Sequence, residues 1–259
     1  MKFIVCIKQV PSTNEVRLDP VTHAIIRDGR QSVINPFDLY AVELGAQLRD
    51  RMGGTLTALS MGIPATERLL RECVSRGADD AVLLTDRAFA GSDTLATSYA
   101  ISLGINAVGG ADLILCGKMA VDGDTAQIGP ELASTLGIHH VTDVAEIMNI
   151  TEKEITVRKV TESGSFVEKV ALPAVITVVK DIVMPRLPSI SGVRKSFTAP
   201  FMTFTAAEAN ADTARTGFNG SPTSVVKTFT PEGRTEAAPV EGTTADQAAF
   251  LLAAVKEVR

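Results

Sequence analysis

Short apolar runs alternate with amphipathic segments through the first two-thirds of the chain, and this alternation constrains the fold more than any other feature. The runs are rich in β-branched residues and span residues 3–7, 55–60, 81–84, 113–116 and 174–179. Such runs are typical of strands buried on both faces of a parallel sheet. Segments of helical period lie at residues 37–51, 64–76, 92–108 and 125–136. The alternation predicts an α/β fold with a doubly wound, mostly parallel sheet.

The pattern changes after Thr142. Residues 146–160 and 165–172 are typical of two strands joined at Gly164, which predicts an antiparallel edge on the sheet. From about Pro185 onward, proline is interleaved with glycine, serine and threonine, and helices are favoured only at residues 206–209 and 244–258.

This change in composition predicts two parts. We expect an α/β domain over residues 1–190 and an extended C-terminal arm over residues 191–259, lying on a partner or on the main domain. A disordered tail is the alternative, but it would leave several phenylalanines in solvent. They are Phe197, Phe201, Phe204, Phe218 and Phe229.

Composition and charge exclude several classes of protein. The hydrophobic fraction of 45% and the charged fraction of 21% are ordinary for a globular chain. A net charge of −5 provides no long-range attraction to nucleic acid or to anionic lipid, so we expect neither as a partner. No stretch approaches the ~20 apolar residues of a membrane span. The first apolar run ends at Lys8 and is too short for a signal peptide, which predicts a cytoplasmic protein.

The cysteine pattern argues against a metal site. Cys6, Cys73 and Cys116 are far apart, and the sequence contains neither a CxxC pair nor a Cys/His cluster. We therefore expect no structural metal or iron–sulfur centre on this chain. Unpaired thiols in apolar surroundings fit a reducing compartment.

Residues 117–127 follow a predicted strand at the sheet edge where open α/β sheets bind ligands. Asp124 and Gln127 have the spacing of a capping box, so we expect Asp124 to cap a helix. Pro130 would interrupt that helix, which predicts a short first turn from Thr125 and a restart near the proline.

A broken helix start of this kind leaves backbone amides of residues 123–127 free to bind an anion, such as a phosphate. Asp122 is then expected to face ribose hydroxyls or a neighbouring amide. A plain capped helix is the alternative, and Gly123 argues against it because glycine allows a ligand to approach the backbone. Neither GxxxxGK[ST] nor GxGxxG occurs, so the loop is neither a Walker A loop nor an ordinary Rossmann site.

Residues 87–97 form a second candidate segment, at another junction between strand and helix. Ser92 or Asp93 can cap the helix that follows, which explains part of the pattern. Capping does not explain Arg87 and Phe89, a cation and an aromatic at the ligand edge of the sheet. Arg87 is suited to stabilise a reduced, anionic ring system.

The motif NPFD at residues 35–38 precedes the first predicted helix. Asn35 at the cap position, Pro36 at the first helical position and Asp38 near the helix N-terminus explain the motif as local structure. No function follows from it alone.

Several motifs taken together resemble the β subunit of electron transfer flavoprotein over nearly the whole chain. They are KQVP at 8–11, RDG at 27–29, NPFD at 35–38, RGAD at 76–79, GKMAVDGDTAQ at 117–127 and PRLP at 185–188. The resemblance implies an adenine-nucleotide α-hydrolase-like fold and a heterodimer with an α subunit that carries FAD. It also implies a nucleotide site on Cys6, Asn35, Phe37, Asp38, Met61 and residues 117–128.

The family has two branches, and the resemblance implies a different nucleotide in the β subunit of each. Ordinary members hold AMP in the β subunit, whereas electron-bifurcating members hold a second FAD, which accepts hydride from NADH. One electron then passes to the α-subunit FAD and on to an acyl-CoA dehydrogenase, a reductase or another flavin dehydrogenase, and the other passes to ferredoxin or flavodoxin. DRAFAGSDTLAT at 86–97, VDGDTAQIGP at 121–130 and GSPTSV at 220–225 resemble the bifurcating branch.

The candidate cofactor-binding residues therefore come from both segments and from the strand ends around them. They are Cys6, Asn35, Phe37, Asp38, Met61, Arg87, Phe89, Gly91, Ser92, Asp93, Thr94, Thr97, Gly117, Asp122, Gly123, Asp124, Thr125, Ala126, Gln127 and Ile128. No residue is assigned a catalytic role on this chain alone.

Residues 185–195 resemble the loop with which this family recognises its dehydrogenase partner. Pro188 and Ile190 are the candidate partner-binding residues, with Ile190 as the apolar anchor. Two other classes of protein remain as alternatives: a hydrolase acting on adenine nucleotides, which would need a phosphate loop and a catalytic cation, and a stress-type nucleotide-binding module that forms homodimers.

Overall fold

A computed structural model describes residues 1–12, 32–227 and 239–257. By internal contacts the chain divides into two units, Met1–Val225 and Val226–Arg259. The sequence motif at residues 27–29 and Phe229 lie outside the described residues.

The first unit is built around a large sheet, as the alternating pattern predicts. Its strands are β1 (Lys2–Cys6), β4 (Thr55–Met61), β5 (Asp80–Leu84), β6 (Leu113–Gly117), β7 (His139–Ile150), β8 (Glu154–Thr161), β9 (Gly164–Ala171), β10 (Ala174–Val178) and β11 (Phe201–Phe204). Among the described residues they are ordered β11-β5-β4-β1-β6-β10-β7-β8-β9. A separate antiparallel pair is formed by β2 (Gln9–Pro11) and β3 (Ser32–Ile34).

The sheet is parallel from β11 to β7 and antiparallel from β7 to β9. The predicted antiparallel edge is therefore confirmed, but the prediction of one strand over residues 146–160 is wrong. Thr151 closes a turn in which its amide donates to the carbonyl oxygen of Glu154 at 2.9 Å, so two strands replace the one that was expected.

Helices cover both faces of the sheet. The elements are α1 (Pro36–Met52), α2 (Glu67–Ser75), α3 (Thr94–Ala107), α4 (Ile128–Leu136) and α5 (Ile190–Thr198). Residues of α1 and α2 share a buried aliphatic cluster on one face, and residues of α3 and α4 share another on the opposite face. The central strands β1 and β6 contribute to both clusters, which is why their side chains are apolar from Phe3 to Cys6 and from Leu113 to Cys116. The doubly wound architecture is confirmed.

The stretch assigned by sequence to the arm is partly folded onto the sheet. Residues 201–204 form β11, which pairs in parallel with β5, and α5 packs beside α2, where Arg71 Nη1 donates to the carbonyl oxygen of Ser196 at 2.6 Å. Neither element was predicted. Residues 206–210 form a hydrogen-bonded turn instead of the predicted helix. The second unit contains helix α6 (Thr244–Glu257), close to the predicted bounds.

None of the helices within the described residues combines the length and the apolar character needed to cross a bilayer.

Candidate functional site

The order of strands places a crevice between β1 and β6. From β1 the chain adds β4 and β5 on one side, and then returns to add β6 on the other side. The loops that follow β1 and β6 therefore diverge at a topological switch point, which is where doubly wound sheets bind ligands. The first of these loops begins with Ile7 and Lys8, and the second contains residues 118–127.

Asn35 joins the start of α1 to the loop after β6. Its side-chain amide donates to Asp38 Oδ1 and to the carbonyl oxygen of Met119, both at 2.9 Å, and its Oδ1 accepts from the amide of Val121 at 3.2 Å. Asn35 is at the cap position of α1, but its side chain makes no capping hydrogen bond. The expectation that it caps the helix is wrong, because the side chain is used across the crevice.

Asp38 connects the ends of both central strands. Its Oδ2 accepts from the amide of Lys8 at 2.7 Å, and the carboxyl group also accepts a backbone hydrogen bond from Gly117. The side chain is buried. Burial raises the pKa of Asp38 to about 7, although the donated hydrogen bonds oppose that rise. Asp38 therefore titrates near neutral pH.

Gly117 is required where β6 ends. A Cβ at this position would collide with the carboxyl group of Asp38 and with Phe37. The absence of a side chain allows the start of α1 to lie directly against the end of β6, which places Asn35, Phe37, Asp38 and Gly117 together.

The loop before α4 has an unusual backbone. Asp124 and Ala126 have φ of 53° and 54°, in the left-handed region that non-glycine residues seldom occupy. Alternating backbone conformations of this kind point successive amides toward one concavity, which binds anions. Within the described part of the chain, the amides of Thr125, Ala126 and Gln127 donate to no acceptor. Strain of this sort, held in an exposed loop, is typical of binding sites.

The predicted capping box is wrong. Helix α4 begins at Ile128 with Gln127 at its cap position, and no side chain caps it. Asp124 cannot cap because the left-handed residues that follow turn the chain out of helical geometry. The predicted first turn from Thr125 is absent, whereas Pro130 does lie in the first turn of the observed helix. The amides of residues 125–127 lack an acceptor among the described residues because the backbone is left-handed at Asp124 and Ala126.

Lys8 and Asp122 form an ion pair across the crevice. The distance between Lys8 Nζ and Asp122 Oδ1 is 2.5 Å. Only 7% of the Asp122 side chain is exposed, whereas 40% of the Lys8 side chain is exposed. Sequence analysis did not include Lys8 among the site residues; its position directly after β1 was the available signal.

The second candidate segment lies beside the first. Asp93 caps α3 by accepting from the amide of Ala96 at 3.0 Å, so the capping interpretation of this residue is confirmed. The hydroxyl of Thr94 donates to Glu131 Oε1 at 3.0 Å and approaches Gln127 Oε1 at 3.3 Å. These contacts join the first turns of α3 and α4. The structure thus brings residues 87–97 and 117–128 to one edge of the sheet.

Glu131 is a further residue that sequence analysis missed. Its Oε2 is buried without a hydrogen-bond partner among the described residues, and burial raises the pKa of its carboxyl group.

A strap formed by residues 216–223 covers the loop before α3. The hydroxyl of Ser221 accepts from the amide of Asp93 at 2.8 Å, and Thr223 donates to Asp93 Oδ2 through both its amide, at 3.1 Å, and its hydroxyl, at 2.8 Å. The amide of Gly217 donates to the hydroxyl of Ser92 at 3.1 Å, and Phe218 packs against Gly91. Ser92, Asp93 and Gly91 are therefore engaged by the strap.

Arg87 and Phe89 have different surroundings. Arg87 is exposed on a short 3₁₀ turn, Arg87–Phe89, which Asp86 caps. Phe89 is only 4% exposed and packs in the apolar cluster between the sheet and α3. Its ring is part of the core, so the aromatic group expected at the ligand edge is not presented there.

The other predicted site residues lie at the strand and helix ends around the crevice. Met61 ends β4 and Thr97 is in the first turn of α3. Ile128 begins α4 and packs against the core. Cys6 ends β1. A hydrogen bond between the two thiols, together with burial, raises the pKa of the neighbouring Cys116 well above its ordinary value.

The loop at residues 185–190 is anchored at one end and exposed at the other. Arg186 binds the buried carboxylate of Glu43 through Nε at 2.7 Å and Nη2 at 3.0 Å. Burial would raise the pKa of Glu43, but the hydrogen bonds from Arg186 and Gln47 lower it below its ordinary value. Pro188 is exposed, and Ile190 is 86% exposed. On α5, Val193 and Phe197 continue the exposed apolar face at helical spacing.

A doubly wound sheet whose loops diverge at a switch point places the protein in the α/β class. Comparison with known proteins makes the class specific: the chain belongs to the electron transfer flavoprotein family, whose electron transfer flavoprotein domain matches residues 22–209.

Three relatives, one of them named as a β subunit, match nearly the whole chain. It is 41% identical over 257 residues to the electron transfer flavoprotein subunit beta of Clostridium acetobutylicum, which covers 99% of this chain and 98% of the relative. Identity to Protein FixA of Bradyrhizobium diazoefficiens is 40% over 262 residues, covering 98% of this chain and 91% of the relative. Identity to the caffeyl-CoA reductase-Etf complex subunit CarD of Acetobacterium woodii is 39% over 259 residues, covering 99% and 98%. The family predicted from the motifs is confirmed.

Proposed function

We propose that this chain is the β subunit of a heterodimeric, electron-bifurcating electron transfer flavoprotein, and that the crevice between β1 and β6 binds FAD. The α subunit of the heterodimer carries a second FAD. When bound in this crevice, FAD supplies hydride acceptance from NADH and the division of the electron pair between the α-subunit FAD and ferredoxin or flavodoxin.

The observation that carries the proposal is the loop before α4. Three consecutive amides, at Thr125, Ala126 and Gln127, have no acceptor among the described residues and follow a left-handed residue at the carboxyl edge of the sheet. This donor set fits a phosphate group, because backbone amides that converge on one concavity bind anions without needing to reorganise. Lys8 adds positive charge beside the loop.

The adjoining segment would hold the ring end of the cofactor. Arg87 is exposed at the same edge and can place its guanidinium against negative charge, and the hydroxyl of Thr94 lies beside Gln127 and Glu131. Thr97 lies one turn further along α3. The strap at residues 216–223 fixes the loop that carries these groups, so their positions are set before a ligand binds.

The name of one relative supports an association with a reductase. CarD is a subunit of a complex between a caffeyl-CoA reductase and an Etf. We propose that this chain likewise delivers electrons to an acyl-CoA dehydrogenase, a reductase or another flavin dehydrogenase, and docks it through Pro188 and Ile190. The exposure of Ile190, together with the ion pair that anchors Arg186, gives an apolar anchor on a fixed support.

Nucleotide content tests the proposal directly. The heterodimer is purified, denatured, and its released nucleotides are separated and quantified. Two FAD and no AMP per heterodimer are expected, with NADH oxidation that requires both ferredoxin and the dehydrogenase partner. One FAD and one AMP would contradict the bifurcating assignment.

Phe89 favours a second candidate, a non-bifurcating β subunit that holds AMP. Its ring is in the core, and the strap engages Ser92 and Asp93, so fewer groups face a flavin than the sequence predicts. The phosphate loop serves either nucleotide. Measurement of the FAD to AMP ratio separates the two candidates.

A further inference from the structure

The ion pair between Lys8 and Asp122 has its cation toward solvent. Asp122 is almost covered, whereas much of the Lys8 side chain is exposed, and an ammonium has three N–H donors. One donor is directed at Asp122 Oδ1, which leaves others for a ligand. The main chain of Lys8 is also held, since its amide donates to Asp38 and its carbonyl oxygen accepts from Asn35.

Gly123 keeps this ammonium open. A Cβ added at Gly123 would lie 3.7 Å from Lys8 Nζ and would meet no other atom within contact distance. A side chain at residue 123 would therefore begin in van der Waals contact with the Lys8 ammonium. Gly123 has no left-handed φ, so the position tolerates other residues without backbone strain.

The charges of this loop would otherwise repel an anion. Asp122 and Asp124 flank Gly123, and Asp38 is buried below them. Lys8 neutralises Asp122 at close range, and its ammonium is nearer to solvent than the carboxylate is. The other nearby lysine, Lys118, is directed away to Asp143, at 2.7 Å.

We propose that the ammonium of Lys8 binds the phosphate of the nucleotide held by residues 123–127, and that Gly123 sets the strength of this contact by leaving the ammonium uncovered. This inference rests on the proposed function to the extent that the crevice binds a nucleotide, and it is the same for FAD and for AMP.

A comparison of ADP with adenosine distinguishes a contact between Lys8 and the phosphate from a structural role of Lys8. The two ligands share base and ribose and differ only in phosphate. Each is titrated into the nucleotide-depleted heterodimer. For Lys8→Gln, ADP affinity is expected to fall about 10- to 100-fold, the usual effect of losing a charge-assisted hydrogen bond. Adenosine affinity is expected to change less than about twofold. Lys153→Gln, at an exposed position in the turn between β7 and β8, is the matched control and should bind ADP as the wild type does.

Lys8→Gln removes a positive charge from beside the buried Asp122 carboxylate and can cost stability. The double variant Lys8→Gln/Asp122→Asn restores a neutral, hydrogen-bonding pair and should show the same selective loss of ADP affinity. If it recovers wild-type affinity for ADP, the lysine acts only by pairing with Asp122 and the proposal is wrong.

Gly123→Asp and Gly123→Asn test the role of Gly123 in a protein that keeps both Lys8 and Asp122. The two side chains have nearly the same shape, so any steric effect is common to both. Gly123→Asp should bind ADP about tenfold more weakly than Gly123→Asn, because its carboxylate takes the ammonium. Equal affinities would overturn the role of Gly123. A wild-type heterodimer that binds neither ADP nor adenosine would contradict the proposed function itself, and this inference with it.

Discussion

The side-chain amide of Asn35 donates to the carbonyl oxygen of Met119 at 2.9 Å and ties the start of α1 to the loop after β6, 84 positions along the chain. The same side chain accepts from Val121 and donates to Asp38. The residue is 1% exposed, so its side-chain amide cannot exchange these partners for water without opening the crevice.

Asn35→Ala should therefore destabilise the protein by about 2–4 kcal/mol, because it removes three hydrogen bonds, one of them to the buried carboxyl group of Asp38. Urea denaturation of the purified protein measures the change in the free energy of unfolding. Asn149→Ala, at an exposed position of β7, is the control and should change it by less than about 0.5 kcal/mol. A small effect at Asn35 would mean that the loop after β6 is held by other contacts.

Asp38 should make stability depend on pH. The pKa of its carboxyl group is raised from 3.8 to about 7 in the folded protein, so the folded state binds more protons than the unfolded state between these values. This contribution to stability is fully present below pH 3.8 and is lost as the pH rises through about 7.

Asp38→Asn carries no titrating group, so the free energy of unfolding of the wild type should fall relative to that of this variant, by about 1 kcal/mol per pH unit between pH 4 and 7. Denaturation curves at several pH values give the slope of the free energy of unfolding against pH. A constant effect of the introduced amide on stability does not change this slope. Asp50→Asn, at an exposed position of the same helix, is the control. A wild-type slope equal to that of Asp38→Asn would show that Asp38 stays ionised.

Ser221→Ala should loosen the loop before α3. The hydroxyl accepts from Asp93 and lies within hydrogen-bonding distance of the carbonyl oxygens of Gly91 and Gly217. Its loss is expected to reduce the protection of amides in residues 87–97 by about fivefold, the effect of about 1 kcal/mol of local stability. Hydrogen–deuterium exchange followed by mass spectrometry measures this. Ser224→Ala, exposed three positions later, should leave the exchange unchanged; if both variants behave alike, the strap does not hold the loop.

Ile190→Asp should separate docking from folding. The side chain is 86% exposed, so the free energy of unfolding should change by less than about 0.5 kcal/mol. Electron transfer to the dehydrogenase partner should fall at least about tenfold, because an apolar anchor is replaced by a charge. Steady-state assays at varied partner concentration check this, with Val167→Asp on β9 as the exposed apolar control. Unchanged transfer would remove Ile190 from the docking surface.

Local periodicity was enough to predict the central architecture. The runs at residues 55–60 and 113–116 became β4 and β6 with ends shifted by one residue, and the helical segment at 37–51 became α1. These elements are specified by apolar residues at a spacing that only one backbone conformation can bury on the sheet. The positions of the ligand-facing loops follow from this order, so the motif at residues 117–127 was correctly placed at the edge of the sheet.

The details that decide binding were set by contacts between residues distant in sequence. Asp124 matched a capping box, but left-handed backbone at Asp124 and Ala126 moved it away from the helix. Phe89 was predicted to contact a ligand because its segment follows a strand at the ligand edge of the sheet, whereas its ring completes a core built from other elements. The strand at residues 201–204 has too few residues for a periodic signal and forms only because β5 offers an edge.

The sequence by itself determined the family, the doubly wound sheet and the edge of the sheet at which the candidate loops lie, since each depends on local pattern or on motifs in order. Only the tertiary structure decided that Lys8 pairs with Asp122, 114 positions away, and that Asp38 is buried between two strand ends. The physical reason is that charge pairing and desolvation depend on distances through space, and the chain order does not specify these distances until the sheet has closed.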